Sequence, residues 1–501
     1  MTPVPTGPTG PRLSIAQWSR IPAAARPLVD PGDLTIGLVH LGLGAFHRAH
    51  QAVYTERAMS AAGSTAWGIC AVAQRGRAVI DELEPQDGLY TVVERGPSTT
   101  FRVRAPIREL LFAVEQHDVL TSRIAAPSTQ VVTLTVTEKG YRHDPVTSRL
   151  DLRDPDLQAD AAGRPPVTVV GRLVRGLQAR HRGNGGPLTV VCCDNLTSNG
   201  ATLRGLVEDF CSLLSGSDQR ALQSWIDESV TFPSTVVDRI VPATTPADRS
   251  DVADYLGLDD EGAVVTEPFS QWVLEDNFAA ARPAWESAGA IFTTDVSPYQ
   301  ALKLRVLNGS HSALAYLGLL AGYEHVAEFV NVDGVSAFVL ALMGEATATV
   351  SAPISVDVED YEQQLLRRFA NPGLRHRLAQ IASDGSQKLP LRLLASVRDA
   401  RAAGLQPAAS VLGVAAWMRY VTARHDDQGR PLAIDDPLAP QIAEAAREDG
   451  DPVMIVERLM GITEMFGDLG DDFELRGQLC DALVELTHAG ALAALRNATP
   501  A

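Results

Sequence analysis

Thr35-Ile36-Gly37-Leu38-Val39-His40-Leu41-Gly42-Leu43-Gly44-Ala45-Phe46-His47 decides the fold. From Thr35 to Leu41 the run is almost continuously apolar, as a strand covered on both faces must be. Gly42 and Gly44 then supply a tight turn, and a helix carrying His47, Arg48 and His50 begins near Phe46. Two glycines so placed are the first two of a dinucleotide fingerprint: one permits the turn, the other lets a pyrophosphate approach backbone N–H groups at a helix start. His47 stands where the third glycine falls. A tight turn without a nucleotide is the alternative for the glycines alone; their place after a buried strand favours the nucleotide.

Working outward, short β-branched runs such as Val131 to Thr137 and Leu188 to Cys192 alternate with helical patterns. Such alternation predicts parallel strands joined by crossover helices, hence an α/β, Rossmann-like doubly wound domain over residues 35–295. Residues 1–34 read as a flexible leader. From Pro298 the pattern changes: Lys303 to Tyr323, Val335 to Thr349, Glu359 to Phe369, Ser410 to Tyr420 and Val453 to Met465 carry apolar residues at helical spacing. Residues 296–501 therefore form a mostly helical second domain. Ala423 to Pro440 and Glu448 to Pro452 read as loops, and no repeat suggests a solenoid. The active site is expected in the cleft where the two domains meet.

The chain has 501 residues, 45% of them hydrophobic, enough to fill more than one core. Its 43 Lys and Arg against 61 Asp and Glu give a net charge of -18, which disfavours nucleic acid and anionic membranes as partners. A small molecule is the expected partner, and the chain is expected to be a monomer or a small homo-oligomer. Cys70, Cys192, Cys193, Cys211 and Cys480 show no metal-ligand spacing and read as reduced core residues, so no metal is expected. Met1 to Arg12 lacks a basic start followed by an apolar stretch, and no segment reaches the ~18 apolar residues that span a bilayer. The expected compartment is the cytoplasm.

Three segments carry the chemistry. In the usual fingerprint an acidic residue about twenty positions on bonds the ribose and selects NAD. Here the second strand, Gly68 to Ala73, ends in Gln74-Arg75-Gly76-Arg77, whose arginines can either meet a 2′-phosphate or be merely solvated, so NADP stays open beside NAD. In Lys303-Leu304-Arg305-Val306-Leu307-Asn308-Gly309-Ser310-His311, an α-helix places Asn308 at about 140° and His311 at about 80° from Lys303. A base, an amide donor and an imidazole on one side of a helix suit alcohol oxidation, because the hydroxyl proton must leave as hydride departs. A desolvated lysine can serve as that base. The alternative is a pair of solvated charges beside polar groups that satisfy one another.

The third segment, Cys193-Asp194-Asn195-Leu196-Thr197-Ser198-Asn199-Gly200, follows a buried strand, where open α/β sheets bind ligands. Asn195 is a candidate second oxyanion donor, and Asn199 a candidate cap for a helix beginning near Ala201. Thr137-Glu138-Lys139-Gly140-Tyr141 ends another strand in the same way. Val237-Asp238-Arg239-Ile240 places a charged pair inside an apolar segment, either architectural or functional.

The stretches HLGLGAFHRAHQAVYT, LTVTEKGY, CDNLTSNG, FPSTVVDRIVP, EPFSQWVLEDNF, RPAWESAGAIFTTDVSPYQALKLRVLNGSHS and DGSQKLP together resemble the polyol-specific long-chain dehydrogenases, the mannitol dehydrogenase family. The resemblance covers nearly the whole chain from Thr35. It implies an NAD(P)-dependent, zinc-independent secondary-alcohol dehydrogenase with Lys303 as base, Asn195 and Asn308 as oxyanion donors and His311 orienting substrate. Gly42, Gly44, Ala45 and Phe46, with Glu138 and Asp238, are the implied nucleotide-site residues. Thr137 to Tyr141, Gly309 to Ser312, Leu374 to Arg377 and Gln387 to Pro390 are similar to the fructuronate reductase branch, with Lys388 and Arg375 for a substrate hydroxyl or carboxylate. Gln380 stands where mannitol-type members resemble one another in an arginine. Gln300 stands where members commonly place a glutamate able to pass protons to the lysine. The implied reaction is D-mannonate with NAD giving D-fructuronate and NADH. The alternatives are a mannitol–fructose or related polyol dehydrogenase, a mannitol-1-phosphate 5-dehydrogenase, and a non-catalytic nucleotide-sensing homologue.

Overall fold

A computed structural model describes residues 10–144, 147–214, 216–423, 425–446 and 451–498. The chain divides into two compact units, Met1–Val296 and Ser297–Ala501.

The strands of the first unit are β1 (Ile36–Leu41), β2 (Gly68–Ala73), β3 (Tyr90–Arg95), β4 (Thr99–Arg104), β5 (Ile107–Phe112), β6 (Val131–Leu134), β7 (Leu188–Cys192), β8 (Val230–Thr231), β9 (Thr235–Asp238), β10 (Val264–Thr266), β11 (Gln271–Glu275) and β12 (Ile291–Thr293). Six of them form a sheet in the order β5-β2-β1-β6-β7-β8, with every pairing parallel. Counted along the chain this is the 3-2-1-4-5-6 order of a dinucleotide-binding sheet, whose order reverses between β1 and β6 and opens a crevice at their carboxyl ends.

Sequence explains the layering. Residues of β2, β6 and β7 are all buried, so these strands need near-continuous apolar runs. Alternate side chains go to opposite faces. Val39, Leu41, Val132, Leu134 and Val190 join the core made with the helices His117–Ala125, Val169–Arg182 and Asn199–Ser212. Leu38, Ile69, Ala71, Val131 and Val191 join a core made with the Gln51–Ala62 helix, Trp272 and Trp285. Two small sheets, β10-β3-β4 and β12-β11-β9, contribute to that second core.

Two expectations are corrected here. Residues 10–34, read as part of a flexible leader, are tied down: Leu13, Ile21 and Ala25 are buried against Val93, Val103 and Leu256. Leu13 N donates to Asp259 O at 2.8 Å. Apolar residues spaced among the prolines give this segment a core to join. The helix after the glycine turn is also not continuous, because His50 (φ -123°, ψ -91°) separates Ala45–Ala49 from Gln51–Ala62.

In the second unit the Asn308–Leu320 helix is central, with every residue but Leu319 buried. Val335–Thr347, Val358–Phe369, Ala408–Thr422, Pro452–Met460 and Phe473–Ala489 pack around it in one core. The expected helix from Val453 to Met465 is two, because Gly461 and Ile462 interrupt it before Thr463–Phe466. Residues 448–450 of one expected loop lie outside the described residues. No described helix is long and apolar enough to cross a membrane.

Candidate nucleotide and substrate sites

A cavity opens at the carboxyl ends of β1, β2 and β6, lined by Gly42, Leu43 and Gly44, by Gln74, Arg75 and Gly76, by Thr135 to Thr137, and by Thr168 and Arg172. Gly42 has φ +113°, and a Cβ there would lie 2.0 Å from Thr135 O, so no other residue permits this turn to press against the end of β6. Gly44 differs: a Cβ there would meet only Gly42 O, at 3.8 Å. Its missing side chain leaves the approach from the cavity open, which is the cradle a pyrophosphate requires. Ala45 and Phe46 stand in the first turn of the following helix and do not line the cavity. His47, in the third fingerprint position, stacks on His40 with ring centroids 3.4 Å apart. His40 is held by Thr133 Oγ1 at 2.7 Å and Thr135 Oγ1 at 2.8 Å, and its burial lowers its pKa to about 3.

At the end of β2 the two arginines part company. Arg77 is exposed and bound to Asp81 at 3.0 Å and Glu115 at 2.6 Å, so only Arg75 faces the cavity. A third cation, which sequence reading missed, lies there: Arg172, 2% exposed, donates to Gln74 Oε1 at 2.6 Å and Gln74 O at 3.0 Å. Burial lowers its pKa to about 10. No local motif marks Arg172, since it reaches β2 from the helix Val169–Arg182 across more than ninety residues of chain.

The ends of β6 and β7 are locked together by Asp194, another residue sequence reading passed over. Its carboxylate accepts from Val136 N and Thr137 N, both at 2.9 Å, and from Tyr141 Oη at 2.6 Å. Burial raises its pKa against these bonds. The clamp holds Thr137, a β-branched residue, at φ +67°. Glu138 begins the short helix after that bend and is exposed, outside the cavity lining. Asn195, beside Asp194, is also exposed. Asn199 is no cap: it is the first residue of its helix, and its side chain binds Thr235 N at 2.8 Å and Thr235 O at 3.0 Å, tying the helix to β9. Asp238 is buried at the end of β9 and is not among the cavity residues. The pairing in Asp238-Arg239 runs elsewhere for the arginine, which donates to Glu94 at 2.7 Å.

In the second unit Lys303, Asn308 and His311 are 8%, 9% and 6% exposed. The α-helical angles expected for them do not hold, because Lys303–Leu307 is a π turn. Asn308 N donates to both Leu304 O and Lys303 O, so the helix is widened here and the step from Lys303 to Asn308 does not follow α-helical spacing. A second π turn, Pro390–Leu394, follows where Pro390 lacks the N–H an α-helix needs. The two meet at Gly309, whose Cβ would lie 3.0 Å from Arg392 O.

His311 packs on Phe369, ring centroids 4.2 Å apart, and edge-on to His376 at 5.4 Å. Its Nε2 is buried with no hydrogen-bond partner. Burial, then His376, Arg368, Arg392 and Lys303, push its pKa well below the usual value, so it is a neutral imidazole. The two residues expected to meet substrate are placed differently. Lys388 Nζ donates to Ser383 O at 2.5 Å and Ile381 O at 3.3 Å. Arg375 is exposed. Gln380 is exposed as well, and Gln300 is half-buried.

Comparison with known proteins accords with this geometry. Residues 36–287 match the mannitol dehydrogenase Rossmann domain and residues 295–487 the mannitol dehydrogenase C-terminal domain. The chain is 41% identical over 484 residues to a D-mannonate oxidoreductase of Escherichia coli (strain K12), covering 94% of this chain and 97% of that one. It is 37% identical over 443 residues to a mannitol 2-dehydrogenase of Aspergillus terreus, covering 86% of each. A Pseudomonas fluorescens mannitol 2-dehydrogenase solved as a ternary complex with NAD and D-mannitol superposes with a TM-score of 0.88 at 35% identity, over 97% of this chain and 99% of that one. The chain belongs to the mannitol dehydrogenase family of oxidoreductases.

Proposed function

We propose that this protein is a cytoplasmic, NAD-dependent fructuronate reductase, interconverting D-fructuronate and D-mannonate. The observation that carries the reading is the buried π-turn constellation of Lys303, Asn308 and His311 in a chain whose other unit has an open glycine cradle at the switch point of its sheet. The sugar-acid substrate is supported by the cations around His311 and by the identity to a D-mannonate oxidoreductase.

The nicotinamide supplies the hydride. As the substrate carbonyl becomes a secondary alcohol, its oxygen gains negative charge and then a proton. Lys303 Nζ gives that proton, and takes it back in the reverse direction. The amides of Asn195 and Asn308 donate to the developing oxyanion. His311, held neutral by burial, has Nε2 open to a substrate hydroxyl. Gly42 and Gly44 would hold the pyrophosphate, and Gln74, Arg75 and Arg172, which line the same cavity, would meet the adenosine ribose. A carboxylate is missing at that place among the lining residues, which keeps NADP beside NAD as an outcome to measure.

A second reading, mannitol 2-dehydrogenase, is favoured by the superposition on an enzyme solved with D-mannitol. The test is loss of reduced-nicotinamide absorbance with NADH or NADPH and fructuronate, tagaturonate, fructose, xylulose or fructose 6-phosphate. Turnover of fructuronate with kcat/KM at least tenfold above fructose is the expected result. Preference for fructose moves the protein to the mannitol enzymes, and inertness toward all five substrates with both nucleotides overturns the catalytic reading.

A further inference from the structure

A nucleotide site that selects NAD has a carboxylate at the end of its second strand, which accepts a hydrogen bond from the ribose 2′-hydroxyl. Here Gln74-Arg75-Gly76 stands at that place, and none of the described residues lining the cavity is Asp or Glu. A glutamine could still play the carboxylate's part through its amide oxygen. Arg172 removes that option. Its Nη1 donates to Gln74 Oε1 at 2.6 Å and to Gln74 O at 3.0 Å, while its Nε donates to Pro166 O at 3.1 Å. An arginine only donates, so the amide oxygen of Gln74 must face it, and the remaining amide atom, Nε2, is a donor. Gln74 Nε2 is buried with no hydrogen-bond partner. Arg75 lines the same cavity, is exposed, and its guanidinium has neither an ion pair nor a hydrogen bond among the described residues. The neighbouring carboxylates go to Arg77 instead, Asp81 at 3.0 Å, Glu115 at 2.6 Å and Glu84 at 3.9 Å.

We propose that Gln74 and Arg75 form a subsite for an adenosine 2′-phosphate, with Arg172 as the positioning residue that turns the Gln74 amide, so that the protein binds NADPH at least as tightly as NADH. A ribose 2′-hydroxyl both donates and accepts, whereas the oxygens of an ionised phosphate only accept. Two side chains that offer donors alone therefore match the phosphate, and a guanidinium fork takes it through charge-assisted bonds. The cations of the cavity also lack a counter-charge of their own. Burial lowers the Arg172 pKa to about 10; Asp160 acts to raise it, and the charge of Arg75 lowers it again. An anion in the cavity offsets that repulsion. Val79, Val167 and Val169 add apolar lining suited to the face of an adenine ring.

The assignment rests on the reading of this cavity as the nucleotide site, and its test separates the two. Dissociation constants for NADPH and NADH are measured by titrating reduced-nicotinamide fluorescence, with no sugar substrate present, for the full-length protein, Arg75→Ala and Gln74→Glu. In the wild type the constant for NADPH is expected to be no higher than that for NADH. The ratio of the NADPH constant to the NADH constant is expected to rise at least ~tenfold in Arg75→Ala, through loss of a charge-assisted contact, and in Gln74→Glu, through a carboxylate that repels phosphate and accepts from a 2′-hydroxyl. Arg75 is exposed, so its replacement leaves the core untouched should Gln74→Glu fail to fold. Tighter binding of NADH than of NADPH by the wild type, or a ratio in Arg75→Ala within about threefold of the wild-type value, overturns the phosphate subsite and leaves the glycine cradle standing. A wild-type protein that binds neither nucleotide overturns both.

Discussion

Lys303 is 8% exposed and begins a π turn that ends just before Asn308. An ammonium so placed serves chemistry better than solubility, because a surface lysine gains nothing from burial. Lys303→Ala is expected to lower kcat by at least ~100-fold, the usual size of a general acid–base effect, with the dissociation constant for NADH changed less than threefold in a fluorescence titration. Turnover within tenfold of wild type removes Lys303 from the proton route. At this scale the sequence was informative about identity and poor about placement. Gly42 could be read as a turn glycine from its neighbours, but the 2.0 Å approach to Thr135 O that excludes a side chain comes from a residue over ninety positions away. Arg172 carries no motif at all, Asp194 lies in a singled-out segment that gave it no role, and each owes its place to strands the sheet aligns.

The elements add a constraint that no single residue carries. Two π turns meet where the Asn308–Leu320 helix is closest to the Pro390–Leu394 segment, and Gly309 leaves room for Arg392 O. Gly309→Ala is expected to cost about 1–3 kcal/mol of stability by overpacking, read as a lower urea midpoint. It should also raise the fructuronate KM, because the strain falls on the turn that carries Arg392. Unchanged stability and kinetics together mean that the contact relaxes freely. A helical periodicity predicted this stretch well as a helix and wrongly as an α-helix, since the spacing of apolar residues does not distinguish the π turn at Lys303–Leu307 from α-helical winding. Likewise the strand expected to run to Thr137 stops at Leu134, because Asp194 bends the chain at Thr137 to φ +67°. Its β-branched residues gave no warning of that bend.

Among the described residues, burial lowers the pKa of His40 and His47 in the first unit and of His311 and the half-buried His376 in the second. Their folded pKa values are lowered, so as pH falls below the usual 6.5 the unfolded chain binds protons that the native chain refuses, and stability is lost toward acid. Each such group costs about 1.4 kcal/mol per pH unit between 6.5 and its folded pKa. The urea midpoint is expected to fall steeply from pH 7 to pH 5, and more shallowly in His40→Gln; equal midpoints at the two pH values contradict the account. The two-unit organisation, the parallel sheet, the glycine turn and the residue types of the proposed reacting centre were legible in the sequence, because burial periodicity and turn chemistry act over a few residues at a time. Long-range packing set the rest: the leader from residue 10 joins a core, Arg77 turns to Asp81 and Glu115 while Arg75 faces the cavity, and His376, not Arg375, approaches His311. Those choices depend on which strands and helices meet, and the contacts that fix them join residues far apart along the chain.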